Sequence, residues 1–281
     1  MAKKVELRGF MRIVNVFITK KWIAIDGYEE AMERFGHLLD SLNDEEAELL
    51  IELVQKYEWM SYNDYHSSLR NLLLALSDTL PTNINRLYVF PIVKPTDEED
   101  IKSGHAVAYM IDGIKSSISA FDNVEIIKLK HFQDIDPEKL TLGENDFLVM
   151  VDDYIGTGNT LDKALKTLQS NNSMSGKFAV LSIAIQEQTK KDLEGLKVPV
   201  FGKLLLKRGI SDENHTPLLE QKHEIMRIIE NRIPKIGKYR NGYEKSEALI
   251  TMIRTPNNTF PVFWKEMSHK GLTLKAPFQR N

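Results

Sequence analysis

Residues 147–161 read Phe-Leu-Val-Met-Val-Asp-Asp-Tyr-Ile-Gly-Thr-Gly-Asn-Thr-Leu, and no other stretch limits the fold as tightly. Phe147 to Val151 is an unbroken apolar run rich in strand formers, the pattern of a strand covered on both faces. It stops at two adjacent carboxylates, Asp152 and Asp153. After Tyr154 and Ile155 come Gly156, Thr157, Gly158, Asn159 and Thr160, all small or hydrogen-bonding. Leu161, Ala164, Leu165 and Leu168 then share one face of a helix. A strand, an acid pair, a small-residue loop and a helix start describe an anion site at the carboxyl end of a parallel sheet. Loop N–H groups at the positive end of a helix dipole can hold a phosphate. Carboxylates repel a phosphate. They suit a neutral hydroxylated group attached to it, or a divalent cation beside it, and a ribose 5-phosphate meets both demands. A plain strand-to-helix turn capped by Asn159 or Thr160 accounts for the loop, but not for two adjacent acids ending a buried strand.

The rest of the chain supplies a setting for this stretch. Its 281 residues suffice for one large domain or two small ones, with a proper core. The absence of cysteine excludes disulfides, thiol nucleophiles and zinc–thiolate sites, and fits a cytoplasmic chain. Arg8, Arg12, Lys20 and Lys21 interrupt the early apolar runs, so no secretory signal and no membrane contact are expected. A net charge of −3 argues neither for nor against nucleic acid.

Residues 14–18 fit a strand or a buried helix. Tyr28, Ala31, Phe35, Leu38 and Leu39 mark a helical face. Asn43 with Glu46 forms a capping-box pattern opening a second helix, and Tyr65, Leu69, Leu72, Leu73 and Leu76 mark a third. We therefore expect a helical amino-terminal part over 1–83. Strands near 87–93, 124–129, 147–151, 178–185 and 198–206, alternating with helices, predict an α/β core with a parallel sheet over 84–215. A helix over 218–233, a basic linker, a short helix over 244–253 and a Pro-bounded turn make up 216–281.

The acid-pair stretch carries a family resemblance. Val151 to Thr160 resembles the phosphoribosyl-diphosphate (PRPP) loop of the type I phosphoribosyltransferases, with two acids, two mostly apolar residues and a Thr-Gly phosphate cradle after an apolar run. The resemblance implies an α/β fold of that type, flanked by helices, with a small carboxy-terminal hood. It implies Asp152 and Asp153 as catalytic acids on the ribose hydroxyls, holding Mg²⁺ indirectly. Gly156, Thr157, Gly158, Asn159 and Thr160 become the 5-phosphate cradle. Lys102 and Ser103, in the loop after the first core strand, become the pyrophosphate contacts. Four acids in that loop, Asp97, Glu98, Glu99 and Asp100, would repel pyrophosphate and read as a solvated run. Gly156 stands where the 6-oxopurine enzymes place an acid/base Asp, which argues against hypoxanthine or guanine as acceptor. The polar connection 131–145 corresponds to the family's flexible closing loop, with Lys130, His131 and Lys139 reaching the phosphates. Asn257, Asn258 and Trp264 fall where the family completes its hood and are the candidate acceptor pocket. Phe260 and Phe263 either stack on the acceptor or bury the segment.

A narrower resemblance covers most of 44–264. Pro91-Ile92, Lys102-Ser103, the acid pair, Gly242-Tyr243 and residues 255–259 followed by Trp264 are similar to phosphoribosyltransferase-like proteins of bacterial conflict systems. These stand beside anti-phage modules, including some retrons. That implies an effector with defence-system partner proteins or a nucleic-acid complex. Three functions stay open: Mg²⁺-dependent phosphoribosyl transfer or nucleotide turnover, a catalytically silent PRPP- or nucleotide-binding regulator, and nucleic-acid binding through the basic stretch 222–240. A homo-oligomer is compatible with each.

Overall fold

The computed structural model describes residues 2–81, 83–97, 100–170, 176–213 and 215–280. The chain divides into two compact units: residues 62–206, and residues 1–61 together with 207–281.

In the unit drawn from both ends of the chain, residues 1–61 contribute three helices and a short strand. These are α1 (Ala2–Thr19), α2 (Tyr28–Asp40), α3 (Asp44–Lys56) and β1 (Glu58–Trp59). The ambiguous stretch 14–18 is helical. The capping box forms as the sequence predicts: Glu46 N–H donates to Asn43 Oδ1 and Asn43 N–H to Glu46 Oε2, each at 3.0 Å.

The α/β unit runs α4 (Tyr62–Ser77), β2 (Arg86–Pro91), α5 (Ser103–Lys115), β3 (Glu125–Lys128), β4 (Asp146–Ile155), α6 (Asn159–Gln169), β5 (Phe178–Gln186), α7 (Glu187–Gly195) and β6 (Val200–Leu206). Its five strands lie in the order β3-β2-β4-β5-β6, all parallel. Leu148, Met150, Leu161, Leu165, Leu168 and Leu193 belong to one apolar cluster, which places α6 and α7 on one face. On the other side α5 packs on β2 and β4, and α4 on β5 and β6. The sheet is thus covered on both faces, which is why β4 reads as a continuous apolar run.

The other unit is completed by α8 (Leu218–Glu230), β7 (Ile250–Thr251) and a hairpin of β8 (Met267–His269) with β9 (Leu272–Leu274). β7 pairs in parallel with β1. Phe17, Trp22, Phe35, Tyr57, Phe263 and Phe278 build an aromatic core, with Tyr57 stacked on Phe278 at 5.0 Å. The expected helix over 244–253 is instead a 3-10 turn at Tyr243–Lys245 followed by β7, because Glu244, Lys245 and Glu247 take left-handed φ values of 55°, 55° and 48°.

These units divide the chain differently from segments 1–83, 84–215 and 216–281. The apolar face of α4 packs on the sheet and α5 rather than joining α1–α3. Ile210, Met226, Ile229 and Phe260 share one core with the amino-terminal helices.

Candidate functional site

The strand order places β2, first of the core strands in sequence, beside β4. From β2 the chain leaves to α5 on one face, and from β4 to α6 on the other. Such a reversal opens a crevice at the carboxyl ends of the two strands, where α/β sheets bind ligands. The acid pair lies there. Strand β4 continues through the acids to Ile155, four residues beyond the apolar run.

Two close approaches shape the crevice. Gly104, in the first turn of α5, has no room for a side chain: an added Cβ would lie 2.9 Å from Val151 O and 3.1 Å from Ile92 N. The helix start is therefore seated against the strand ends. Ser103 next to it donates from Oγ to Asp152 Oδ1 at 2.7 Å. The same oxygen accepts the Asp153 N–H at 2.9 Å. Burial, and then the neighbouring charge of Asp153, push Asp152 well above the usual carboxylate range; the Ser103 hydroxyl opposes this.

Asp153 is buried, and its Oδ2 accepts the Tyr65 hydroxyl of α4 at 2.7 Å. Tyr65 reads in the sequence as one member of an apolar helix stripe. Nothing in that stripe separates a tyrosine whose hydroxyl meets a carboxylate from one that fills space. Asp152 and Asp153 therefore have different surroundings: one meets a helix start, the other a buried phenol.

The loop after β4 is short. Gly156 and Thr157 bend, Gly158 takes φ 78°, and Asn159 and Thr160 open α6. The cap residue is Gly158, with no side-chain cap, rather than Asn159 or Thr160. Thr189 of α7 fixes the loop by donating from Oγ1 to Gly156 O at 2.6 Å. Its methyl group also lies 2.9 Å from where a Cβ on Gly158 would sit. Thr189 had no signal in the sequence beyond its place at a helix start. Thr157 and Asn159 are exposed, and Thr160 is half-buried. The arrangement offers N–H groups of a helix start to an anion.

Lys102 is placed next to Ser103, but its charge is already engaged. Its Nζ donates to Asp100 at 2.7 Å and lies 3.5 Å from Asp97. The bond to Asp100 holds the ammonium above its ordinary value. The acid run is thus only partly a solvated one: Asp97 also accepts the Lys94 N–H at 3.0 Å. Glu98 and Glu99 lie outside the described residues.

His105 joins this loop to the next. Lys102 N–H donates to His105 Nδ1 at 3.1 Å, and Nε2 lies 2.9 Å from Lys130 O. A neutral imidazole carrying its proton on Nε2 satisfies both. The connection 131–145, expected to be an open closing loop, is anchored. Lys130 and His131 N–H groups both donate to Asp134. Ile135, Leu140 and Leu142 are buried in the α6 cluster. These apolar residues, spaced through a polar sequence, are what pin it.

The candidate acceptor residues belong to the other unit. Asn257 O accepts Tyr243 N–H at 2.9 Å. Asn258 O accepts Ala248 N–H at 3.1 Å and Ser246 Oγ–H at 2.8 Å. Gly242 passes so close that a Cβ there would lie 2.0 Å from Asn258 O. Trp264 is half-buried and donates from Nε1 to Thr259 O at 2.8 Å. Phe260 and Phe263 are fully buried, so they bury the segment rather than offering a stacking face.

The basic stretch 222–240 is not a free stripe. Lys222 pairs with Glu52, Arg227 with Glu224, Arg232 with Glu46, and Arg240 donates to Asn231. Among the described residues no helix is long and apolar enough to cross a membrane, and no group of three or more His, Asp or Glu could hold a metal.

A profile for the family described as PRTase-CE matches residues 35–280. The chain belongs to the PRTase-CE family. Among curated proteins nothing matches. The solved structures similar to this PRTase-CE chain include hypoxanthine-guanine phosphoribosyltransferase from Schistosoma mansoni in complex with IMP. The identity is 17% and the TM-score 0.32, over 44% of this chain and 56% of that one. The match thus spans little more than half of that protein's length. Orotate phosphoribosyltransferase from Aeropyrum pernix is 17% identical, over 55% and 74% of the two chains, with a TM-score of 0.31. A protein from Neisseria gonorrhoeae with bound ppGpp is 12% identical, over 60% and 96%, with a TM-score of 0.36. The PRTase-CE chain has the α/β architecture expected from its sequence, a parallel five-strand sheet with flanking helices.

Proposed function

We propose that the crevice at the ends of β2 and β4 binds PRPP or a ribonucleotide, and that the protein is a Mg²⁺-dependent phosphoribosyltransferase-like enzyme. The observation that carries this reading is the acid pair at the switch point, flanked by the Gly156–Thr160 loop and joined to Ser103 at 2.7 Å. The loop N–H groups and the hydroxyls of Thr157 and Thr160 take the 5-phosphate. Gly158 supplies the left-handed turn that the loop requires. Asp152 and Asp153 take the ribose hydroxyls and orient the anomeric carbon. Lys102 and Ser103 take the pyrophosphate.

The donor set suits Mg²⁺. That ion is held by one or two carboxylates together with substrate phosphates and water, not by a dedicated cage of protein ligands. Asp152, a hard oxygen donor at the crevice edge, is the residue that would reach it. When bound, Mg²⁺ supplies positive charge to the leaving pyrophosphate. Lys102 adds a cation at the same place once it releases Asp100. Gly156 leaves the acceptor without a purine-specific carboxylate.

The test is calorimetric titration of PRPP with Mg²⁺, followed by an assay of pyrophosphate release. Asp152→Asn and Asp153→Asn should each abolish PRPP binding while the protein stays folded. Binding equal to that of the parent in both would refute the site. Lys102→Ala should lower turnover more than affinity, because charge grows on the leaving group in the transition state.

A second reading is a silent PRPP- or nucleotide-binding regulator. Two observations favour it: Asp153 is engaged by Tyr65, and Lys102 by its own loop acids. PRPP binding without pyrophosphate release on adding candidate acceptors would select it. A role in anti-phage defence, with partner proteins or a nucleic-acid complex, is part of the same proposal. Phage plating on cells carrying the parent or Asp152→Asn within its native gene neighbourhood tests it, and equal plating speaks against it.

A further inference from the structure

The unit made of residues 1–61 and 207–281 holds a second polar cleft, of about 470 Å³. Arg208, His223, Arg240, Asn241, Lys245 and Glu247 are among its lining residues. A cleft of this size falls within the range of small-molecule sites.

Its backbone is unusual. Asn241, Lys245 and Glu247 have φ of 56°, 55° and 48°, and Gly242 between them has 80°. A left-handed backbone is unfavourable for side chains other than glycine, and it persists where the surroundings impose it. Two buried acids lie against it. Asn241 N–H donates to both oxygens of Glu230, at 3.0 and 3.2 Å. Asn241 O accepts the Glu247 N–H at 2.9 Å. Glu230 and Glu247 are 0% and 2% exposed.

The side chain so held is left without a partner: Asn241 Oδ1 is buried and accepts no hydrogen bond among the described residues. A buried orphan acceptor is costly unless something supplies a donor. Around it stand four cations, Arg208, Arg227, Arg240 and Lys245, and three acids, Glu220, Glu224 and Glu247. Arg240 is fixed by Asn231 Oδ1 at 3.0 Å, by Arg227 O at 3.5 Å and by an ion pair with Glu230 at 3.9 Å. Lys245 is exposed and in no ion pair among the described residues. Of the acids that line the cleft, Glu220 is exposed to solvent, while Glu224 and Glu247 are engaged within the protein. Glu224 is chelated by Arg227. Glu247 accepts Ile210 N–H, Ser211 N–H and Ser211 Oγ–H, at 2.9, 2.8 and 2.6 Å.

Ser211, His223 and Glu247 do not make a nucleophile. The Ser211 hydroxyl proton is donated to Glu247, and His223 Nε2 approaches that same pair, at 3.2 and 3.5 Å. A working triad needs the base between nucleophile and acid.

We propose that this cleft is a second ligand site, for a phosphate monoester that carries hydroxyl or amide donors, the class that includes nucleoside monophosphates. The phosphate meets Arg240 and Lys245, and its double charge at neutral pH matches two cations. A donor on the ligand meets Asn241 Oδ1. The proposal is independent of the acid-pair crevice.

The experiment uses the full chain with Thr157→Glu, which places a carboxylate in the β4–α6 loop. AMP, ribose 5-phosphate and inorganic phosphate are titrated calorimetrically. AMP should still bind at one site, with inorganic phosphate weakest. Lys245→Asn, added to Thr157→Glu, should weaken AMP about tenfold, the loss of a charge-assisted contact. Asparagine tolerates the left-handed backbone, so the fold is kept. Asn241→Gly keeps both main-chain bonds and removes the orphan oxygen. It should weaken AMP by a similar factor and leave the melting temperature unchanged or higher. The proposal fails if Thr157→Glu alone abolishes AMP binding, if neither added variant weakens it, or if inorganic phosphate binds as tightly as AMP. Failure of the acid-pair reading shows separately, as PRPP binding that Asp152→Asn and Asp153→Asn leave intact.

Discussion

Asp152 and Asp153 end a ten-residue strand, whereas Glu230 and Glu247 lie against a stretch with almost no regular structure. Both pairs are short of solvent, yet they are placed by opposite means. In the α/β unit, strand register and the close seat of Gly104 position the acids, and the backbone would keep its course without their charge. In the other unit the acids hold the backbone, since main-chain N–H groups of Ile210, Ser211 and Asn241 end on them. Removing an acid should therefore cost ligand binding in the first case and stability in the second.

The largest expected effect tests the second half of that contrast. Glu247→Ala strands two main-chain N–H groups and a hydroxyl, each unsatisfied group costing ~1–3 kcal/mol. Urea denaturation should show a loss of about 3 kcal/mol or more. A loss no larger than that of Asp152→Asn would erase the distinction between the two pairs.

Next comes pH. Burial pushes Glu230 up to about 7, from an ordinary 4.5. The folded state then holds a proton that the unfolded state has released. This contribution is complete below pH ~4.5 and declines as pH rises to about 7, by roughly 3 kcal/mol in all. Glu230→Gln keeps an acceptor for Asn241 N–H and should flatten that slope, making the variant more stable than the parent at pH 8. Equal slopes in denaturation series from pH 5 to 8 would show that Glu230 is charged in the folded protein.

Gly104→Ala is smaller and belongs to the first half. Its Cβ meets backbone atoms, which cannot rotate away. Overpacking of this kind costs ~1–3 kcal/mol, and the displaced α5 should carry Ser103 from Asp152. PRPP titration beside a thermal melt would show both effects. Affinity unchanged despite a lower melting temperature would separate the helix seat from the site.

Tyr65→Phe should do least to stability, about 1 kcal/mol for one buried hydrogen bond. It frees the Asp153 carboxylate. If Tyr65 only orients Asp153, PRPP affinity falls and Asp153→Asn abolishes it in either background. If Tyr65 competes with ligand, affinity rises.

The difference between the two regions also accounts for what was legible in the sequence. The five strands and α4 to α7 follow from apolar periodicity, because a doubly covered sheet imposes it. The capping box at Asn43 and Glu46 is local and was readable for that reason. The Asp-Asp step was readable because adjacent charges ending an apolar run contribute nothing to packing and so point to a ligand. Tyr65 and Thr189 were not: each reaches the site through its tertiary position, and neither departs from the pattern of its helix. The packed connection 131–145 was masked by the polar residues between Ile135, Leu140 and Leu142. The region 235–247 misled because the apparent helix over 244–253 ignores left-handed backbone at Glu244, Lys245 and Glu247, which their side-chain types do not announce.

The parallel pair β1–β7 joins residues that stand far apart in the chain: Glu58 aligns with Ile250 and Trp59 with Thr251. Tyr57 meets Thr251 through a hydrogen bond of 2.8 Å across 194 positions. Between them the whole α/β unit is encoded without interruption. During synthesis that unit emerges complete while α1–α3 still lack the partners supplied after residue 207. Long-range closure of this kind is slow, and half-built cores attract chaperones or aggregate. On the ribosome the nascent chain should therefore gain a protease-resistant α/β unit first, with its earliest residues protected last.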